Sequence, residues 1–181
     1  MQLVSDGELR AFDELYQRYS KRLMAYFTRM LNFNRGLAED ALQDLFLKIA
    51  EHPETFDPSR SFKTWIFSMA SNSCKNFYRH RAVVQKNKEQ LVWAEENRTN
   101  NFFTTLAATI DGGGFRKMLE EALNELPMEK KEAFILKYQE DKSITEIAQI
   151  QNCPEGSVKS RLHYTIKVLE NKLSIFNPQN Q

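Results

Sequence analysis

SITEIAQIQNCPEGSVKSRLHYTIKVLENKL, residues 143–173, decides how this chain folds. Ser143 followed by Glu146 is a capping box: the serine oxygen takes a free backbone N–H at a helix start, and the glutamate reaches back to do the same. Ile144, Ile147 and Ala148 then give a short helix one apolar face. Asn152 and Cys153 break it, and Pro154 stands where a second helix can begin without needing its N–H. Val158, Leu162, Leu169 and Leu173 recur at helical steps as a buried stripe. The other face carries Ser157, Lys159, Ser160, Arg161, His163 and Lys167. A short capped helix, a tight turn and a helix with small and basic residues near its start form a helix-turn-helix, the shape that fills a DNA major groove. A plain helical hairpin with a solvated basic face would share the periodicity. Capping, turn and polarity together favour the DNA reader.

Composition limits the rest. The 181 residues suffice for one ordinary domain or two small ones, and 41% hydrophobic content supports real cores. Net charge is +1, so a nucleic-acid surface must come from segregated charge. The two cysteines, Cys74 and Cys153, lie far apart with no histidine at ligand spacing, so neither a disulfide framework nor a metal site is expected. No cofactor or small-molecule substrate is expected either. The start, MQLVSDGELRAFDE, has acids where a signal peptide needs an apolar core, and no run approaches the roughly 20 apolar residues of a membrane span. The expected location is cytoplasmic, with no direct insertion into a membrane.

Helical periodicity opens the chain, with Phe12, Leu15, Tyr16, Tyr19, Leu23, Tyr26, Phe27 and Met30 at three- and four-residue steps. Asn32, Asn34 and Gly36 interrupt it. A second helix follows, with Ala38, Ala41, Leu42, Leu45, Phe46 and Ile49 inward. Pro53 and Pro58 bound a loop, and a third helix runs from about Phe62 to Arg81 with Phe62, Ile66, Met69 and Phe77 as its inner stripe. Residues 82–115 mix Asn, Thr, Gln and charge and end in Gly112-Gly113-Gly114; they read as a flexible linker bearing an apolar patch at Phe102–Ile110. Pattern resumes at Arg116, and nothing alternates as a strand does. The expected architecture is all-α: residues 1–81 and 116–176 as two small helical domains on a linker, the second a helix-turn-helix domain.

Charge is sorted along the first domain. From Gly36 to Asp57 the acids are Glu39, Asp40, Asp44, Glu51, Glu54 and Asp57, against Lys48 alone. From Pro58 to Lys88 there are no acids, while Arg60, Lys63, Lys75, Arg79, Arg81, Lys86 and Lys88 are basic. The same stretch holds Phe62, Trp65, Phe67, Phe77 and Tyr78, with Asn72 and Asn76 between them. Basic residues track phosphates and aromatic faces stack on unpaired bases at about 1–3 kcal/mol each, a combination suited to locally opened DNA. Core packing is the ordinary role of any one such aromatic, and the preferred one for Phe62 and Phe77. The acidic helix before them repels DNA; its face of Asp40, Gln43 and Asp44, with Leu47 as an apolar anchor, suits a basic protein partner, although such a face can also be merely solvated.

A duplex reader, a strand-opening surface and a protein-docking helix together resemble the extracytoplasmic-function (ECF) class of bacterial sigma factors. AEDALQDLFLKIAEH is similar to the family's core-polymerase-binding helix, FKTWIFSMASNSCKNFYRHR to its helix for melting and reading the −10 promoter element, and ALNELPMEKKEAFILKY with EIAQIQNCPEGSVKSRL to its −35 reader. The resemblance implies that Asp40, Gln43, Asp44, Phe46 and Lys48 grip a coiled coil on the largest polymerase subunit. It implies that the loop His52–Ser61 captures a flipped base, with Asn72 near the opened strand and Arg60, Lys63, Trp65, Lys75, Asn76 and Arg79 in the same −10 surface. Glu155, Ser157, Lys159, Ser160 and Arg161 fall where the recognition helix meets the −35 element. The implied partners are core RNA polymerase, promoter DNA and an anti-sigma factor. The chain departs from the family pattern in three places: Asn76 where Asp is frequent, Ser71 where a basic residue is common, and Tyr164-Thr165-Ile166 in place of an Arg-Ala-Arg run.

Other classes need features the chain lacks. A response regulator needs a strand-helix receiver, and a serine recombinase needs a sheet domain with a nucleophilic serine amid arginines. No phosphate-binding GxxxxGK loop or catalytic triad pattern appears. No enzymatic role is expected; a helix-turn-helix regulator that is not a polymerase subunit is the main alternative, and a pure adaptor of helical bundles leaves the basic-aromatic block without a role. Residues 82–115 extend to roughly 110 Å but average only about 30–35 Å as a coil, while promoter elements one and a half DNA turns apart lie on the order of 50–55 Å from each other. The two domains are therefore expected to draw apart on a promoter and to close on each other when free, with Phe102–Ile110 between them.

Overall fold

The computed structural model describes residues 1–89 and 112–176, and all regular structure among them is helical. The helices are α1 (Gln2–Ser5), α2 (Leu9–Met30), α3 (Arg35–Glu51), α4 (Phe62–Glu89), α5 (Gly112–Asn124), α6 (Met128–Tyr138), α7 (Ile144–Gln151) and α8 (Glu155–Lys172). Short 3-10 turns occupy Pro53–Thr55 and Ser174–Phe176.

Each boundary has a local cause. The last turns of α2 bury Leu23, Tyr26, Phe27 and Met30. The chain then reverses through Asn32 and Phe33, both at positive φ (56° and 60°), a conformation that is costly for a bulky residue such as Phe33. Asn34 ends the reversal by capping α3, its side-chain oxygen accepting from the Leu37 N–H at 3.1 Å. α3 buries Ala38, Leu42, Leu45, Phe46 and Ile49 on one face, as its periodicity predicts.

α4 differs from expectation in rotation and in length. Ile66, Phe67, Ala70 and Cys74 are its fully buried apolar residues, whereas Phe62, Met69 and Phe77 are only half-buried. The reason is that α4 is covered from two sides, by α2 and α3 and also by α7, so its buried arc is wider than one amphipathic stripe. It also continues past Arg81 to Glu89. At the other end of the linker segment, Gly112-Gly113-Gly114 forms the first turn of α5 rather than a free tether. A first turn has no intrahelical acceptors for its N–H groups, so it loses little by lacking good helix formers. Phe115, edge-on to Phe176 at 5.4 Å between ring centres, ties this helix start to the 3-10 turn that follows α8. The apolar patch Phe102–Ile110 lies outside the described residues.

The two halves, residues 1–89 and 112–176, are in contact. α6 packs on α2 and α7 on α4, and one continuous core joins Leu23, Phe27, Met30 and Ile66 with Ile135, Leu136, Ile147 and Val158. A smaller cluster of Ala122, Leu123, Leu126 and Leu169 closes α5 on α8.

Two lysines are buried at this junction. Lys131 is well satisfied, donating to Asn32 Oδ1 and Asn124 Oδ1, each at 2.8 Å. Lys142 is not: its ammonium has no hydrogen-bond partner, lies 4.6 Å from the centre of the Phe67 ring and reaches Glu146 only at 3.6 Å. Burial pushes it down to about 8. Because the unfolded chain binds that proton more tightly, the charged lysine costs stability below pH 8, and the cost fades as pH rises from 8 toward 10.5. Lys142→Met should therefore raise stability by roughly 1–2 kcal/mol at pH 7. In a chain of this size that is about 3–6 °C in melting temperature. The gain should shrink when the melt is repeated at pH 9.5, and a lower midpoint at pH 7 would show that Lys142 stabilises the fold.

Candidate nucleic-acid and polymerase interface

The helix-turn-helix is built as its residues dictate. Ser143 Oγ accepts from the Glu146 N–H at 3.1 Å, and Glu146 Oε2 accepts from the Ser143 N–H at 2.8 Å. Asn152 adopts the left-handed conformation (φ 52°) that ends α7, and Pro154 precedes the first turn of α8. Thr145 Oγ1 donates to Glu155 Oε1 at 2.6 Å and braces the two helices across the turn. On the outer face of α8, Glu155, Lys159, Ser160, His163 and Lys167 are exposed, and Ser157 is half-buried. Arg161 is turned away from that face. Its Nη1 donates to Gln151 Oε1 at 2.7 Å and lies 3.2 Å from Cys153 Sγ, which pins the guanidinium into the turn. The free cationic face is thus Lys159 and Lys167, with His163 between them.

The loop before α4 is also preformed. Asp57 accepts from the Ser59 N–H at 3.0 Å and from Ser59 Oγ at 2.8 Å, and pairs with Arg60 at 3.4 Å. The Ser59 hydrogen bonds, with Arg60 adding to them, hold the Asp57 carboxyl below the usual range. Phe56 packs edge-on to Phe62 and Trp65, at 5.4 and 5.2 Å between ring centres. Ser59, Arg60, Ser61, Thr64, Trp65 and Ser68 line a cavity of about 590 Å³, closed on its far side by Gln149 and Asn152. Trp65, Asn72, Asn76 and Arg79 follow one stripe along α4, and the last three are exposed.

The acid-free block is therefore not one surface. Phe67 is a core residue, edge-on to Tyr26 at 5.5 Å. Tyr78 donates its hydroxyl to the Met30 carbonyl. Lys75 reaches the Gln151 carbonyl at 3.4 Å, and Arg79 bonds Asn76 at 3.1 Å. Lys63 is half-buried. Arg60, Trp65 and Asn72 keep faces open to a ligand.

On α3, Asp40, Gln43, Asp44, Leu47 and Lys48 are exposed along one side. Asp40, Asp44 and Lys48 also line a groove of about 340 Å³ whose opposite wall is Ser73, Asn76, Phe77 and His80 of α4. Phe46 is not on this face. Periodicity and structure both turn it inward, where its ring meets Tyr16 at 4.8 Å and Phe12 at 6.0 Å.

Sequence comparison settles the family. Residues 15–83 match Sigma-70 region 2 and residues 116–167 match Sigma-70 region 4, together about two thirds of the chain. The chain belongs to the sigma-70 family, in its ECF class. It is 28% identical over 174 residues to the ECF RNA polymerase sigma-E factor of Haemophilus influenzae, covering 94% of this chain and 91% of that one. It is 29% identical over 164 residues to the RNA polymerase sigma factor CarQ of Myxococcus xanthus, covering 90% and 89%. Its fold is similar to that of the sigma factor RpoE of Bartonella quintana, solved with the anti-sigma factor NepR, with TM-score 0.71 at 22% identity over 93% of this chain and all of that one.

This sigma factor is a promoter-recognising initiation factor that works with core RNA polymerase and promoter DNA. No described helix is long and apolar enough to cross a membrane. What sequence reasoning missed is a buried polar chain through the junction of its halves. Tyr26 Oη donates to Glu132 Oε1 at 2.6 Å, Gln151 Nε2 donates to Glu132 Oε2 at 2.9 Å, and Gln151 Oε1 receives Arg161. Burial first, and the neighbouring Glu132 next, push the Tyr26 phenol well up, so it stays a donor. The one sequence signal was Lys131-Glu132 directly abutting the apolar run Ala133–Leu136.

Proposed function

We propose that this sigma factor docks on core polymerase through the α3 face of Asp40, Gln43, Asp44 and Lys48, opens and reads the −10 element with the loop His52–Ser61 and α4, and reads the −35 element with α8. The observation that carries the reading is the sorting of charge onto neighbouring surfaces. An exposed acidic α3 face, unsuited to DNA, lies beside an α4 stripe with no acids, and a basic recognition helix follows in the same chain. No bond-making chemistry is assigned; the protein acts by binding, in the cytoplasm where polymerase and DNA meet. RpoE of Bartonella quintana was solved with an anti-sigma factor, and a protein of that kind is proposed as a further partner here. Run-off transcription from genomic fragments with purified core polymerase tests the whole reading. Promoter-specific transcripts are expected, and transcripts indistinguishable from core polymerase alone would overturn it.

Within the −35 reader, Lys159 and Arg161 should separate. Lys159 is exposed and suited to phosphate, so Lys159→Ala should weaken binding to all sequences alike and reduce the slope of log K against log salt by about one. Arg161 must leave Gln151 to reach a base, and a bidentate base contact is worth roughly 1–3 kcal/mol. Arg161→Ala should then cost different amounts on different −35 sequences. An equal loss on every sequence would make Arg161 a brace of the turn.

A further inference from the structure

Tyr164 stands on the outward face of the recognition helix. Ser157, Ser160, Tyr164 and Lys167 follow one another at three- and four-residue steps, opposite the buried Val158, Leu162 and Leu169. From Ser157 to Tyr164 the helix rises about 10 Å, close to the roughly 12 Å width of a major groove. With the first turns of α8 on base edges, Tyr164 therefore reaches the phosphate-lined wall. Its ring brings no charge to that wall, but a neighbouring helix does. Lys130, in the first turn of α6, sets its ammonium 3.1 Å from the centre of the Tyr164 ring. The backbone beneath it is fixed: the Lys130 carbonyl accepts from Thr165 Oγ1 at 3.3 Å, and the Lys130 N–H donates to the Pro127 carbonyl at 3.0 Å. Among the described residues no hydrogen bond or ion pair engages the ammonium, and Tyr164 is nearly half exposed.

We propose that Lys130 and Tyr164 form a phosphate clamp of the −35 reader, α6 supplying the cation and α8 the ring that positions it. The inference rests on the assignment of α8 to the −35 element. The negative face of the ring attracts the ammonium from one side and leaves N–H donors on the other for phosphate oxygens. A lysine loses rotamer freedom when a phosphate fixes it, and one already resting on an aromatic face has less left to lose. The exposed acid next to it in sequence, Glu129, leaves α6 about 100° further round the helix. A contact of this kind sets affinity and register on the duplex without reading bases. The clamp thus extends the −35 surface beyond α8, to a residue outside the helix-turn-helix pair.

The test uses holoenzyme assembled with the full chain, on a duplex carrying the −35 sequence that run-off transcription recovers. Lys130→Ala should weaken binding about eightfold at 0.1 M salt, the weight of one released counterion, and reduce the slope of log K against log salt by about one. The same loss should appear on duplexes with single-base changes in that element. Lys130→Arg, which keeps a cation able to stack on the ring, should restore the slope. Tyr164→Leu should leave the slope intact, because Lys130 remains, yet weaken binding about two- to fivefold, the weight of an exposed cation–π contact. Lys21→Ala, which removes one charge from the exposed side of α2, should change neither quantity. A slope unchanged by Lys130→Ala, whatever the melting temperature does, would make Lys130 a brace between α6 and α8 and overturn the clamp. So would an equal fall in slope with Lys21→Ala. Absence of specific transcripts from the unaltered protein would instead overturn the functional reading on which the clamp stands.

Discussion

Asp44→Lys should weaken core-polymerase binding by about 30-fold, equivalent to roughly 2 kcal/mol, and leave the melting temperature unchanged. Asp44 lies on the exposed side of α3, with Asp40 one turn before it and Lys48 one turn after. No hydrogen bond or ion pair to another described residue engages it, so reversal removes nothing from the fold. It does place a cation where a basic partner is proposed to sit, turning attraction into repulsion. Arg35→Ala is the control, since Arg35 is exposed at the start of the same helix and, among the described residues, pairs with Glu39 one turn away. A direct binding assay on immobilised core polymerase checks the pair. Equal affinity for both variants would remove this face from the interface.

The helix-turn-helix was legible because its determinants are local. A capping box, a residue tolerant of the left-handed conformation and a proline at the helix start act within one turn of themselves, and each is where its sequence position predicts. The inner face of α3 was legible for a related reason: helical period alone fixes which residues share a side. That argument also explains Phe46, which periodicity turned inward and family resemblance turned outward; the core position is the one observed. The basic-aromatic block misled because composition has no direction. Successive helical residues point about 100° apart, so Phe67 and Trp65 end on different sides of α4 however alike they look in a list. Arg161, Lys131, Glu132 and Lys142 were illegible for a deeper reason. Their partners lie across the turn or across the junction of the two halves, and long-range pairing leaves no periodic trace in the chain.

Asn72→Ala should slow opening of duplex promoters by tenfold or more, while binding of core polymerase stays normal. Asn72 sits mid-helix on α4, exposed, with no hydrogen bond to another described residue. It therefore does not cap local backbone. An exposed asparagine in a helix interior is a poorer helix former than alanine by roughly half a kcal/mol, so the substitution should stabilise α4 slightly. A functional loss could then not be blamed on unfolding. Asn72 shares its stripe with Trp65, which lines the cavity behind the preformed Asp57–Ser59 turn. A loop already held by the Asp57 hydrogen bonds and by Pro53 and Pro58 loses less entropy when a base enters it. Capture of a flipped base must offset an unstacking cost of a few kcal/mol, and the rate of opening depends on it. On promoters opened in advance by mismatches that cost is already met, so the Asn72→Ala defect should shrink there. Trp65→Ala should behave in the same way but with some loss of stability, because its ring packs against Phe56 and Phe62. A fluorescent base within the −10 element reports opening directly. Normal opening by Asn72→Ala on duplex DNA would confine the first half of this sigma factor to polymerase docking.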